Sequence, residues 1–242
     1  YSAGVGQAYY YWIKAAASSD GNRESAFSAA NSGYVAPSTL ASDSKVDTLT
    51  DPAYYQFRDG NSKWWAVGVR ANLSSDNWSL RLYADPSFTT LLASSTYSLP
   101  VDFVVGDGHH VAYQYRGIEA YRFSGSSNAD VEFEGSIEVL AIGTNASIAW
   151  PAGDVVEIWD LYLTNGSYKF ELLFNSGLAN LDCALFGSTD GLYYKNRGGY
   201  LARSEKSGAA MNESFSLTIT NADTYGFCVW ANDTNAANFD LV

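Results

Sequence analysis

Positive charge is scarce in this chain. Lysine and arginine number 14 among 242 residues, against 26 aspartates and glutamates, which leaves a net charge of −12. A nucleic-acid partner needs a basic footprint for its phosphates, so that class is excluded. An anionic membrane surface is excluded on the same ground. Long apolar runs are missing too. The stickiest stretch, QAYYYWIKAAASS (7–19), is broken at Lys14 and falls far short of the roughly 20 residues of a membrane span. Nothing charged precedes its apolar part, so it is no signal peptide. Cysteine occurs twice, at Cys183 and Cys228, with no CxxC, and the two histidines are adjacent, His109 and His110. No standard zinc or redox pattern is present. Neither GxSxG nor HExxH occurs, which removes the common hydrolase signatures.

What the chain does have is aromatic density. Aromatic residues make up 15%, with 18 Tyr and 7 Trp, among frequent Gly, Ser, Thr and Asn. That balance favours an all-β protein. An internal repeat supports it. WAVGVRAN (65–72) aligns with YKFELLFN (168–175), and WSLRLYAD (78–85) with LDCALFGS (181–188). YQF (55–57) answers LYL (161–163), and LLASS (91–95) answers YLARS (200–204) after an insertion, TDGLYYKNRGG, in the second copy. VDFVV, IEAYRF and VEFE (101–105, 118–123, 131–134) answer FSLTI, GFCVWA and NFDLV (215–219, 226–231, 238–242). Each block alternates apolar with polar or small residues, the period of a strand with one face in a core. The expected fold is therefore two tandem antiparallel β-sandwiches of jelly-roll or immunoglobulin-like kind, produced by internal duplication. Their bounds are 51–136 and 137–242. A linker near 136–153 adds a strand through IEVLAI, and residues 1–50 form a leader belonging to neither copy.

The blocks GSYKFELLFNSGLANLDCALF (166–186) and NWSLRLYADPSFTTLLASS (77–95) resemble bacterial secreted β-sandwich repeats of the pre-peptidase C-terminal type. The likeness covers about 51–242. It implies an extracellular, non-catalytic module, and a fold of this kind does not by itself give a function.

Candidate chemistry is sparse. GDGHHVAY (106–113) is the most enzyme-like stretch, but adjacent histidines on a strand point to opposite faces and do not share a site. Asp102 with Asp107, or Glu132 with Glu134, are conceivable glycosidase pairs; on alternating strand positions they read as a solvated face. No catalytic residue and no resident metal are assigned. Trp64, Trp65, Trp78, Trp159 and Trp230 are candidates for stacking on sugars, weighed against core packing. The turns DGN (59–61) and STDG (188–191) could hold calcium, though neither matches an EF-hand loop. Asn-x-Ser/Thr sequons occur at Asn72, Asn77, Asn145, Asn165, Asn212 and Asn232, in expected turns or strand ends where N-linked glycans could project. Cys183 and Cys228 are a candidate disulfide of a secreted chain. Their register is against it: Leu181, Cys183 and Leu185 point inward on one strand, while Phe227 and Val229 point inward on the other and leave Cys228 outward.

The leader carries one strong β segment, AYYYWIKAA (8–16), with Tyr9, Tyr11 and Ile13 on one face and Tyr10, Trp12 and Lys14 on the other. Such a strand can add to the open edge of another subunit's sheet. A head-to-tail contact that does not close grows into a filament. The expectation is a non-enzymatic, secreted, glycosylated subunit of an extracellular filament or surface assembly. Its partners are copies of itself, with Tyr9–Ile13 as the intersubunit strand and Tyr1 read as a processed end. The alternative is an adhesin-like module that binds carbohydrate or a cell surface through its aromatics.

Overall fold

The computed structural model describes residues 4–5, 8–11, 27–28, 31–34, 36–48, 51–59, 61–98, 100–136, 139–143 and 146–242. Among them there is no helix; all regular structure is β. Four sheets stack in order. The outer sheet of the first sandwich runs β3 (Ser38–Thr39), β5 (Ala53–Arg58), β10 (Tyr115–Ser124), β7 (Asn77–Tyr83), β8 (Leu91–Ser95). Its inner sheet runs β16 (Tyr194–Asn196), β9 (Val101–Asp107), β6 (Trp64–Ala71), β11 (Ala129–Gly135), β4 (Ser44–Asp47). The second sandwich has an inner sheet β13 (Val156–Leu163), β19 (Asp223–Ala231), β15 (Leu181–Phe186), β17 (Ala202–Ser204). Its outer sheet is β12 (Ala146–Trp150), β20 (Ala237–Leu241), β14 (Gly166–Gly177), β18 (Glu213–Ile219). Strand pairs are antiparallel except β3 with β5.

The two sandwiches share one strand order. In the first, β5-β10-β7-β8 faces β9-β6-β11-β4; in the second, β13-β19-β15-β17 faces β18-β14-β20-β12. Each strand that has an aligned sequence block stands where that block stands in the other sandwich; β4 and β12 have none.

Three cores lie between the four sheets. Phe57, Trp65, Val67, Leu80 and Ile118 are among those filling the first sandwich, and Trp159, Phe170, Leu185, Phe227 and Phe239 among those filling the second. A middle core joins the inner sheets, with Trp64, Phe103 and Val105 against Ile158, Phe186, Cys228 and Trp230. This is why β6 is buried at every position. Odd residues such as Trp65 and Val67 face the first core, and even ones such as Trp64 and Ala66 face the middle core. A sheet covered on both sides loses the alternation of a one-sided strand. The expectation that each copy buries a single face holds only for the outer strands, such as β5 and β18.

Polar contacts also cross the middle layer. Arg70, 2% exposed, donates from Nη1 to the carbonyls of Asp154 (2.6 Å) and Asp233 (2.7 Å), and from Nη2 to that of Gly153 (2.6 Å). Glu132 accepts from the amides of Val155 (2.5 Å) and Val156 (3.1 Å). The segment TDGLYYKNRGG (189–199) supplies β16, which pairs with β9 of the first sandwich, Lys195 opposite Val105. That segment is thus a brace between the two sandwiches. Among the described residues a linker strand lies at β12; of IEVLAI, residues 137–138 lie outside the described residues and Val139 makes a bridge to Asp160.

Candidate functional site

The histidine stretch does not sit as a strand would place it. β9 ends at Asp107, and His109 and His110 follow in a turn. Both rings therefore converge on one carboxylate: His109 Nδ1 is 3.0 Å from Asp107 Oδ1 and His110 Nδ1 is 2.6 Å from Oδ2. The hydroxyl of Ser188 also donates to Asp107. The other nitrogen of His109 lies 3.2 Å from Asp160 Oδ2 on β13. The hydrogen bonds to Asp107 and Asp160 raise the His109 pKa to about 9. Ser188 bonds the carboxylate rather than the imidazole, and His109 is charged at neutral pH. The arrangement thus lacks the serine-to-base contact of a nucleophilic site and works as an ionic clasp between the sandwiches.

The carboxylates paired on sequence grounds are not on a solvated face: Asp107 and Glu132 are buried at the same junction, Asp102 is buried within the first sandwich, and Glu134 is half-buried. Asp102 accepts from the Ser95 hydroxyl and the Tyr97 amide, both at 3.0 Å. Glu132 holds the amides named above. The calcium candidates are also engaged. Asp59 is bonded to Arg116 Nε (2.5 Å) and to the Gln114 amide (2.9 Å), and Asp190 to Lys195 Nζ (2.5 Å). No group of three or more His, Cys, Asp or Glu suited to a metal occurs among the described residues.

Trp64, Trp65, Trp78, Trp159 and Trp230 are all buried. As candidates for sugar stacking they are corrected to core residues: Trp65 and Trp78 fill the first core, Trp159 the second, and Trp64 and Trp230 the middle core. Cys183 and Cys228 are both free. On paired strands Ala184, not Cys183, stands opposite Cys228. Cys183 enters the core of the second sandwich and Cys228 the middle core, so the candidate disulfide is corrected to two buried thiols.

Of the sequons, Asn72, Asn165 and Asn212 are exposed. Asn145 lies outside the described residues. Asn77 is 8% exposed on β7, and the amide of Asn232 donates to Asp182 (2.5 Å). Neither presents a free amide nitrogen on which a bulky glycan fits in the folded chain.

The leader strand is present as β1 (Ala8–Tyr11), paired with β2 (Asn31–Tyr34) in a two-stranded sheet of its own. Tyr9, Tyr10 and Tyr11 lie on it; Trp12 and Ile13 lie outside the described residues.

The remaining feature is a groove that the sequence did not reveal. It holds about 510 Å³ of space, its open mouth included, at one end of the second sandwich. Leu140, Ile142, Leu161, Phe170, Phe227 and Leu241 line it. Four of these also belong to the second core, so the groove opens onto the interior of the sandwich. Lys169 and Glu171 stand at its rim, 2.8 Å apart as an ion pair.

No family model matches the chain, and no curated protein matches it. The resemblance to pre-peptidase C-terminal repeats therefore rests on its β patterns. Among solved structures the chain is similar to a "putative secreted protein from Eubacterium rectale", at 9% identity and a TM-score of 0.25, over 78% of this chain and 67% of that one.

Proposed function

We propose that the chain is a non-catalytic structural subunit of an extracellular filament or surface assembly, joined head to tail by its aromatic leader strand. The observation that carries the reading is the separation of β1 and β2 from the four stacked sheets. A two-stranded sheet on its own is marginal in water. A tyrosine-rich strand in such a sheet gains by entering a larger one, where main-chain hydrogen bonds and alternate side chains both find partners. A leader on one copy and an acceptor on the next give a heterologous contact, which propagates. The acidic surface and the exposed sequons at Asn72, Asn165 and Asn212 suit an extracellular glycoprotein. The shared strand order suits two sandwiches that descend from one by duplication. The rival carbohydrate-binding module drew its support from tryptophans that are buried.

The double variant Tyr9→Asp, Tyr11→Asp tests the reading. Burying two unpaired carboxylates in an intersubunit sheet is strongly unfavourable. The expected result is a shift from polymer to monomer in size exclusion, with the β signature of circular dichroism unchanged. Polymers of undiminished length in the variant would count against the leader as the joining element.

A further inference from the structure

We infer that the pocket at the turn from β5 to β6 binds the carboxylate of an acidic sugar, as carried by a uronate-bearing polysaccharide. The site is independent of how copies of the chain join. Every described lysine and arginine but three has a carboxylate oxygen within 4.0 Å. The three are Arg58, Lys63 and Lys206. Arg58 and Lys63 line one pocket, which holds about 530 Å³ of space, its open mouth included. No aspartate or glutamate is among the described residues of its lining. Asp59, next to Arg58 in the chain, is spent on Arg116 and on the Gln114 amide. In a chain with 26 acidic residues, two cations left together without a carboxylate are suited to an anion from outside.

Arg58 is held in place for that task. Its guanidinium lies over the ring of Tyr113, 4.0 Å from the centre, and 5.7 Å from the ring centre of Tyr115. A guanidinium on an aromatic face is oriented without using up its N–H groups. Their planar fork matches a carboxylate with two parallel hydrogen bonds. Tyr113 and Tyr115 are 49% and 47% exposed, which leaves apolar ring surface beside the guanidinium for a sugar ring. A bare phosphate or sulfate makes no use of that surface. The platform is tyrosine, not the buried tryptophans. The indole N–H of Trp65, in the pocket's wall and 1% exposed, has no hydrogen-bond partner among the described residues. Asn61 and Ser62 hold left-handed φ angles of 69° and 56° in the turn that carries Lys63. Non-glycine residues keep that conformation at a cost, and it clusters at ligand sites.

The net charge of −12 opposes a polyanion at long range. At physiological salt, charges more than roughly 8 Å apart are largely screened, so the pair of local cations decides.

Titration calorimetry on the full chain tests this, with trigalacturonate as the probe. Neutral maltotriose and citrate, an anion without a sugar ring, are the comparisons. Arg58, Lys63 and Tyr113 are exposed, so replacing them leaves the fold in place; melting curves check that. The parent is expected to bind trigalacturonate more tightly than either comparison. Arg58→Gln is expected to weaken it about tenfold or more, the loss of a charged hydrogen-bond partner, and Tyr113→Ala by about threefold. Lys206→Gln, the third cation without a carboxylate, is expected to leave it unchanged. No binding by the parent, or equal affinity for maltotriose, overturns the anion site. Equal affinity for citrate overturns the sugar as its ligand. Undiminished affinity in Arg58→Gln, or an equal loss in Lys206→Gln, overturns the pocket as the place of binding. None of these outcomes touches the leader strand, so the assembly reading stands or falls separately.

Discussion

Trp64→Ala is expected to lower the stability of the chain by about 3–5 kcal/mol, the usual cost of truncating a buried tryptophan. Trp64 is fully buried at the start of β6 and points into the middle core. Its indole N–H donates to the carbonyl of Thr224 in the second sandwich, at 3.1 Å. Its ring lies directly on Gly226 of β19: a Cβ there would come within 2.6 Å of the indole. Glycine at that position is thus a packing requirement. Removing the indole opens a cavity at the joint and orphans the Thr224 carbonyl. For a chain of this length each kcal/mol moves the melting temperature by roughly 2–4 °C, so the variant should melt about 6–20 °C lower. The parent should unfold in one transition, because the middle core and the Arg70 contacts bind the sandwiches together. The variant should broaden or divide it. Calorimetry measures both, and a loss below about 1 kcal/mol would mean that the middle layer is not a packed core.

The second large effect is on pH. Burial raises several carboxyls above their ordinary range: Glu134 to about 10, with a hydrogen bond to Asp43 adding to it, Glu132 and Asp182 to about 7, and Asp102 to about 6. Each holds its proton more tightly folded than unfolded. Folding therefore takes up protons, and stability falls as pH rises from about 4 toward 10. His109, raised to about 9 by Asp107 and Asp160, acts in the same sense. Its contribution is complete below its ordinary value of 6.5 and is lost as pH passes 9. Asp107 and Asp190 are lowered; they stabilise above their ordinary 3.8 and lose that contribution only in acid. A tenfold change in proton affinity is worth about 1.4 kcal/mol. Two such steps across the whole set would lower the melting temperature by about 5–10 °C between pH 5 and pH 9. Melts across that range check the sign. A melting temperature that rises with pH would contradict the burial of these groups.

Much of the architecture is legible in the sequence because outer strands keep their alternation. YQF (55–57) and FSLTI (215–219) read as half-buried strand segments, and they lie in Ala53–Arg58 and Glu213–Ile219, which alternate in burial. The joining of the two sandwiches is not legible, because it erases the signal that would announce it. In WWAVGVRA every residue is buried, and a strand buried on both faces has no period to read. The same cause turned Trp64 and Trp230 from candidate ligands into core, and gave Cys228 a second interior to enter. His109 and His110 were misplaced for a smaller reason: the strand stops one turn earlier, at Asp107. The groove depends on how β20 registers against β14, strands 60 and more residues apart. Local patterns do not encode that. The segment Ala8–Tyr11 was legible as a strand from its tyrosines, whereas its partner Asn31–Tyr34, NSGY, carries no such mark.

The measurement that bears most directly on the account is the mass of the purified full-length chain by light scattering, followed by electron microscopy of the same fractions. The account predicts extended polymers that release single chains only when denaturant opens the intersubunit sheet. A homogeneous monomer at every concentration would contradict it.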